Sequence, residues 1–160
     1  MQVKAETIIN KPVAEVWEVM GNQYADVHLW SSNFSSSEAG GAPTLPGLDF
    51  AHRKTTTERG ETIQVLDAFE PANHSLAYHI SKGIPEVGES ASAVWSLEAV
   101  DEQSTRVTMD YAMPLKPFVN EEMAQKIQAG LTMATDQLAE ELKHYLETGT
   151  PHPRKLEASK

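Results

Sequence analysis

The sequence predicts an α+β fold in the order strand, two short helices, six strands and one long helix. Three observations carry this. A period-two segment at the start is followed at once by two clipped segments of helical period. Strand-like segments then succeed one another through connections too short for the crossover that a parallel pair needs, which makes them an antiparallel meander. Finally, an apolar stripe of about six turns closes the chain.

Val3, Ala5, Thr7 and Ile9 alternate with polar neighbours and read as the first strand. Asn10 and Pro12 supply a helix cap and an early-helix proline. Val13, Val16, Trp17 and Met20 then recur on one helical face until Gly21-Asn22 ends it. Tyr24, Val27 and Trp30 mark a second short amphipathic segment. Helices this short are marginal alone, because nucleation costs more than a few hydrogen bonds return, so packing on a larger element must hold them.

Residues 31–37, serine-rich around Phe34, form a weak strand, and "EAGGAPTLPG" after them is a loop of about ten residues. Its glycines sit between two strands, whereas a phosphate cradle belongs to a strand-to-helix turn, so a phosphate role is set aside. The strands "LDFAHRKTT", "ETIQVLDAF", "SLAYHIS", "SASAVWSLEAV" and "TRVTMDYAMPL" complete a set of seven. Beyond Pro114 and Pro117 a helix runs from Asn120 to Glu147, with Met123, Ile127, Leu131, Ala134, Leu138, Leu142 and Tyr145 on its apolar face. Gly149 and Pro151 stop it. The domain therefore spans 1–147, and the tail 148–160, with little to bury, is expected to be disordered.

Composition narrows the partners. At 160 residues with 23 acidic and 13 basic side chains, the chain carries a formal charge of −10. No basic stripe exists to neutralise a run of phosphates, which argues against nucleic acid. The absence of cysteine excludes disulfides, thiolate metal sites and a cysteine nucleophile. No run of 18 apolar residues occurs and "MQVKAETIIN" lacks the pattern of a signal peptide, so the expectation is a cytoplasmic protein without membrane insertion.

Taken together, "INKPVAEVWEVMGNQYADVHLW", "GETIQVLDAFEPANHSLAYHIS", "AVWSLEAVDEQSTRVTMDY" and "LTMATDQLAEELKHYL" resemble the START-like helix-grip superfamily (SRPBCC), and within it small bacterial members of the polyketide cyclase/dehydrase type. The resemblance covers about residues 2–147. It implies a curved seven-stranded sheet gripping the long helix, with the two short helices supporting one end, and a ligand cavity between sheet and helix. Many such relatives carry an Arg on the third strand and a Glu on the fourth. Arg53 matches the first, but Gln64 stands at the second, a departure from the pattern.

Turning the apolar face of each strand inward gives a candidate ligand-binding set of Trp30, Phe50, His52, Asp67, Tyr78, Trp95, Met109 and Tyr111, to which the helix adds Ile127 and Leu131. Period-two apolar residues describe a filled core equally well; the resemblance is what favours a cavity. Trp30 reads as a plug of core or rim, the commoner use of a large aromatic, or as a ligand platform. An Arg59-Gly60 turn would place His52 opposite Asp67, where a carboxylate could tune an imidazole as a base, hold it structurally, or simply share the surface with it. Glu141 and His144 have the spacing of di-iron carboxylate helices, but those sites draw on four helices and this chain has one long one. No metal, cofactor or catalytic residue is assigned. The leading expectation is binding of a small hydrophobic or amphipathic molecule. The alternatives are a polyketide cyclase/dehydratase-like enzyme in the same cavity and a co-chaperone-like interaction module.

Overall fold

The computed structural model describes residues 1–160. Seven antiparallel strands, β1 Gln2–Ile9, β2 Ser36–Gly40, β3 His52–Thr57, β4 Gly60–Glu70, β5 Ser75–Lys82, β6 Ser92–Asp101 and β7 Ser104–Ala112, are ordered β1-β7-β6-β5-β4-β3-β2. Only the β1–β7 pairing is non-sequential, so the sheet is a meander with the first strand added at the far side, and it does not close. The long helix α2, Glu121–Thr148, lies against β1 and β7. Asn120 caps it by accepting from the Met123 amide at 2.9 Å, and Gly149, at φ 76°, provides the left-handed residue that ends it.

The short helices agree with expectation in place and size. α1, Val13–Trp17, runs into a π turn, Glu18–Asn22, and a 3-10 segment covers Tyr24–Leu29. Val16, Trp17, Met20, Tyr24 and Val27 are all buried, so these turns are held by the core they cover. Gly21 is required where it stands, because a methyl there would run into the Trp17 ring. That ring packs against Phe69 at a centroid distance of 5.2 Å.

Two cross-strand rows build the inner face of the sheet. One is Leu66, Tyr78, Ala93, Tyr111 and Val3; the other is Leu76, Trp95, Met109 and Ala5. All of them except Val3 meet Trp30 and Leu138 in one hydrophobic core.

Several expectations are corrected. The weak strand is β2 at Ser36–Gly40, and Phe50 lies in the loop before β3 rather than in a strand. The β3–β4 turn is Glu58-Arg59, closed by the Thr57–Gly60 pair, so His52 faces Val65 and not Asp67. The register slides by two because Gly60, at φ 117°, enters the strand instead of the turn. A bulge between Leu66 and Ala68 then makes Asp67 an extra residue, which lets both Leu66 and Phe69 turn inward while Asp67 stays at the surface.

The tail also departs from expectation. Pro153–Ala158 forms a helix, α3, that returns to the body of the protein. Its anchor is Glu141, which sits at 1% exposure inside the molecule. This carboxylate accepts from the Ser32 amide and hydroxyl and from Arg154 Nε, each at 2.7 Å. Lys155 Nζ donates to the Phe34 carbonyl at 2.9 Å, and burial pulls its ammonium below the usual range. A packed apolar stripe cannot show this, since the partners of Glu141 lie more than a hundred residues upstream and at the far end of the chain. Glu141→Ala is expected to lower the unfolding free energy by about 2 kcal/mol, because it leaves the part-buried Ser32 amide and hydroxyl without their acceptor and reduces Arg154 to its exposed pairing with Glu140. Urea denaturation followed by tryptophan fluorescence measures the loss.

Candidate functional site

The sheet–helix interface has its polar centre at Arg53. β3 and β4 pair Arg53 directly with Gln64, and both side chains point to the inner face. Arg53 is 6% exposed. Its Nε donates to Gln64 Oε1 at 2.6 Å, and Nη1 donates to the Tyr24 carbonyl at 2.9 Å. The guanidinium carbon lies 4.0 Å from the Tyr24 ring centroid and 5.3 Å from that of Tyr78. Such desolvated cation–π contacts contribute on the order of 2 kcal/mol. Tyr24 in turn donates its hydroxyl to the Gln64 carbonyl at 3.2 Å. One side chain thus ties the 3-10 segment, β3, β4 and β5 together.

Arg53 borders a cavity of about 10 Å³, whose other walls are Met20, Tyr24, Val27, Trp30, Leu76, Tyr78, Trp95 and Leu138. This volume suits about one water. The expectation of a ligand-sized space between sheet and helix is therefore corrected: four large aromatic rings fill most of the chamber. The walls hold no carboxylate and no imidazole, and no cluster of His, Asp and Glu is arranged to hold a metal ion.

Of the candidate residues, Trp30, Tyr78 and Trp95 line the chamber. Met109 is buried beside it, paired with Trp95 across β6 and β7. Tyr111 is half-buried on the same face, and Phe50 stacks on Tyr24 at 6.4 Å between centroids. Ile127 and Leu131, on the first half of α2, are half-buried and do not border the cavity. His52 lies against Gly40 and Gly41. Asp67 bonds His79 Nδ1 at 2.7 Å, with both side chains nearly half exposed. His52 and Asp67 are thus apart and form no dyad, and neither reaches the chamber.

Met20, Tyr24, Val27, Leu76, Leu138 and Arg53 are wall residues outside the candidate set. Tyr24 and Val27 are legible as one face of a short helix, but nothing local shows that the face meets β3. Arg53 is marked only by resemblance. "HRKTTT" is polar at every position, so its alternation does not reveal an inner face.

Burial raises the pKa of Tyr24 strongly, with the nearby Arg53 charge opposing, and pushes Tyr111 up to about 12. Both hydroxyls stay protonated through the neutral range. They are donors, not bases.

An open antiparallel sheet wrapped on one long helix, with two short helical turns sealing an aromatic chamber, defines a helix-grip protein. Residues 1–143 match the profile of the family described as polyketide cyclase / dehydrase and lipid transport, and the chain belongs to that family. Solved structures share the fold at low identity. A START superfamily protein from Mycobacterium smegmatis superposes with a TM-score of 0.72 at 16% identity, covering 93% of this chain and 99% of that one. The protein XoxI from Bacillus cereus gives 0.70 at 15%, covering 94% and 99%. The di-domain ARO/CYC BexL of the BE-7585A biosynthetic pathway gives 0.67 at 18%, covering 92% of this chain and 46% of its own. No curated protein matches the sequence.

The raised tyrosines have a measurable consequence. The folded state holds the Tyr111 proton more tightly than the unfolded chain, whose ordinary value is 10.0. That share of stability is complete below pH 10 and is lost as the pH climbs through about 12. Phenolate absorbance is expected to show Tyr111 and Tyr24 ionising late, and Tyr111→Phe to flatten the alkaline loss of stability.

Proposed function

We propose that the chain binds a small hydrophobic or amphipathic molecule in the chamber between the sheet and α2. The observation that carries this reading is the composition of the chamber: aromatic and aliphatic walls around one buried polar group, the pattern of a site that burial drives and a few contacts orient. The family's description, which includes lipid transport, supports it.

Room for a guest has to come from movement, and two segments are built for it. The first half of α2, Glu121 to Gly130, has no fully buried residue, and exposed Gly130 weakens the helix where that half joins the buried half. The loop Gly41–Ala51 lays Leu45, Leu48 and Phe50 on the core without regular hydrogen bonding. Acid–base cyclisation is the weaker reading, because the chamber offers proton donors and no base.

The neutral dye N-phenyl-1-naphthylamine tests the proposal. Saturable one-to-one binding is expected, with energy transfer from the tryptophans. Leu138→Ala enlarges the cavity, so it is expected to tighten dye binding severalfold while lowering the unfolding free energy by about 3 kcal/mol. Failure of both proteins to bind the dye saturably, or affinity indifferent to Leu138, overturns the reading.

A further inference from the structure

The Arg53 guanidinium is a buried cation without an anion. No carboxylate lies within 4 Å of it, although every other interior ionised side chain is matched: Glu141 meets Arg154, and Lys155 has a carbonyl and lies within range of the Glu141 charge. The group opposite Arg53 in the β3–β4 register is the neutral amide of Gln64. An amide accepts one hydrogen bond but leaves the full positive charge in place. Asp67, three residues beyond Gln64 on β4, is turned to the surface and held by His79.

Donors are also left over. A guanidinium has five N–H groups. Nε and one Nη1 hydrogen are used, so three remain, including both on Nη2, which makes no hydrogen bond. No fully enclosed side-chain nitrogen or oxygen in the protein lacks a partner, so Nη2 keeps accessible surface. The cavity is the space that Arg53 borders. A buried charge with unspent donors is costly unless something answers both, and rings that contribute cation–π attraction answer only part of the first.

We infer that the chamber selects an amphipathic organic anion, a carboxylate or sulfonate on an apolar, ring-sized body, with the anionic head on the free edge of Arg53 and the body among Trp30, Tyr78 and Trp95. Gln64 is the specificity-determining residue, because its neutrality is what keeps the cation available. This rests on the chamber being the binding site. The molecule's net charge of −10 repels anions in bulk, so any preference for an anion originates locally.

Two dyes with one body separate the claims: 1-anilinonaphthalene-8-sulfonate, and N-phenyl-1-naphthylamine, which lacks the sulfonate. At physiological ionic strength the wild-type protein is expected to bind the sulfonate roughly tenfold more tightly. Gln64→Glu supplies an internal counter-ion and is expected to bring the ratio of the two affinities to one or below, whereas Gln64→Leu keeps the ratio above one. Equal affinities in the wild type, or a ratio unmoved by Gln64→Glu, overturn anion selection while leaving the chamber's role as a binding site standing. Binding of neither dye overturns both. Should Gln64→Glu not fold, the wild-type ratio and its collapse in Arg53→Met decide the matter.

Discussion

A guanidinium can remain inside this protein only because three separate segments converge on it. Gln64 reaches it from β4, Tyr24 offers both a carbonyl and a ring face from the 3-10 segment, and Tyr78 adds a second ring from β5. The same contacts locate those segments relative to one another. Without Arg53, the short helical turns would keep only the Tyr24 hydroxyl on the Gln64 carbonyl and the Ser37 contacts at the sheet edge as directional ties to the sheet, the rest being apolar packing, which fixes distance well and rotation poorly. The placing of the 3-10 segment on the inner face of the sheet, and with it the shape of the chamber, depends on that convergence.

Elements with strong periodicity are plain in the sequence. β1 and α2 lie within a residue or two of their expected bounds, and α1 and β7 begin within a residue of theirs, because each buries one face and repeats long enough to show it. The region from Ser31 to Asp67 is harder to read. β2 and β3 are polar on both faces, so neither register nor facing is encoded in a hydrophobic pattern. The turn before β4 and the bulge at Asp67 each displace the pairing of the residues beyond them, so an error at one carries His52 and Asp67 out of place together. Trp30, Tyr78 and Trp95 are legible because aromatic residues on an inner face announce themselves. The burial of Arg53 and Glu141 is not, since a charged residue looks the same in a sequence whether it is solvated or enclosed; only tertiary partners distinguish the two.

Those two buried charges divide the protein's interior into unlike halves. At Glu141 the carboxylate is satisfied from both ends of the chain, and α3, the Ser32–Phe34 turn and the second half of α2 form a firmly closed corner. At Arg53 the hydrogen bonding is incomplete, with both hydrogens on Nη2 and one on Nη1 left without a partner. The interior is thus closed around one buried charge and keeps unspent donors at the other.

One further feature bears on how the molecule behaves in a crowd. The sheet does not close, and its last strand, β2, is five residues long and reads Ser-Ser-Glu-Ala-Gly. Ser37 spends its hydroxyl on the 3-10 segment, accepting from His28 and donating to Ala25, while Glu38 is neutralised by Lys54. A second copy seeking to extend the sheet would meet a brief, hydrophilic rim that runs directly into the Gly41–Ala51 loop. Of the two margins that an open sheet has, this one is in this way made a poor template for chain-to-chain growth.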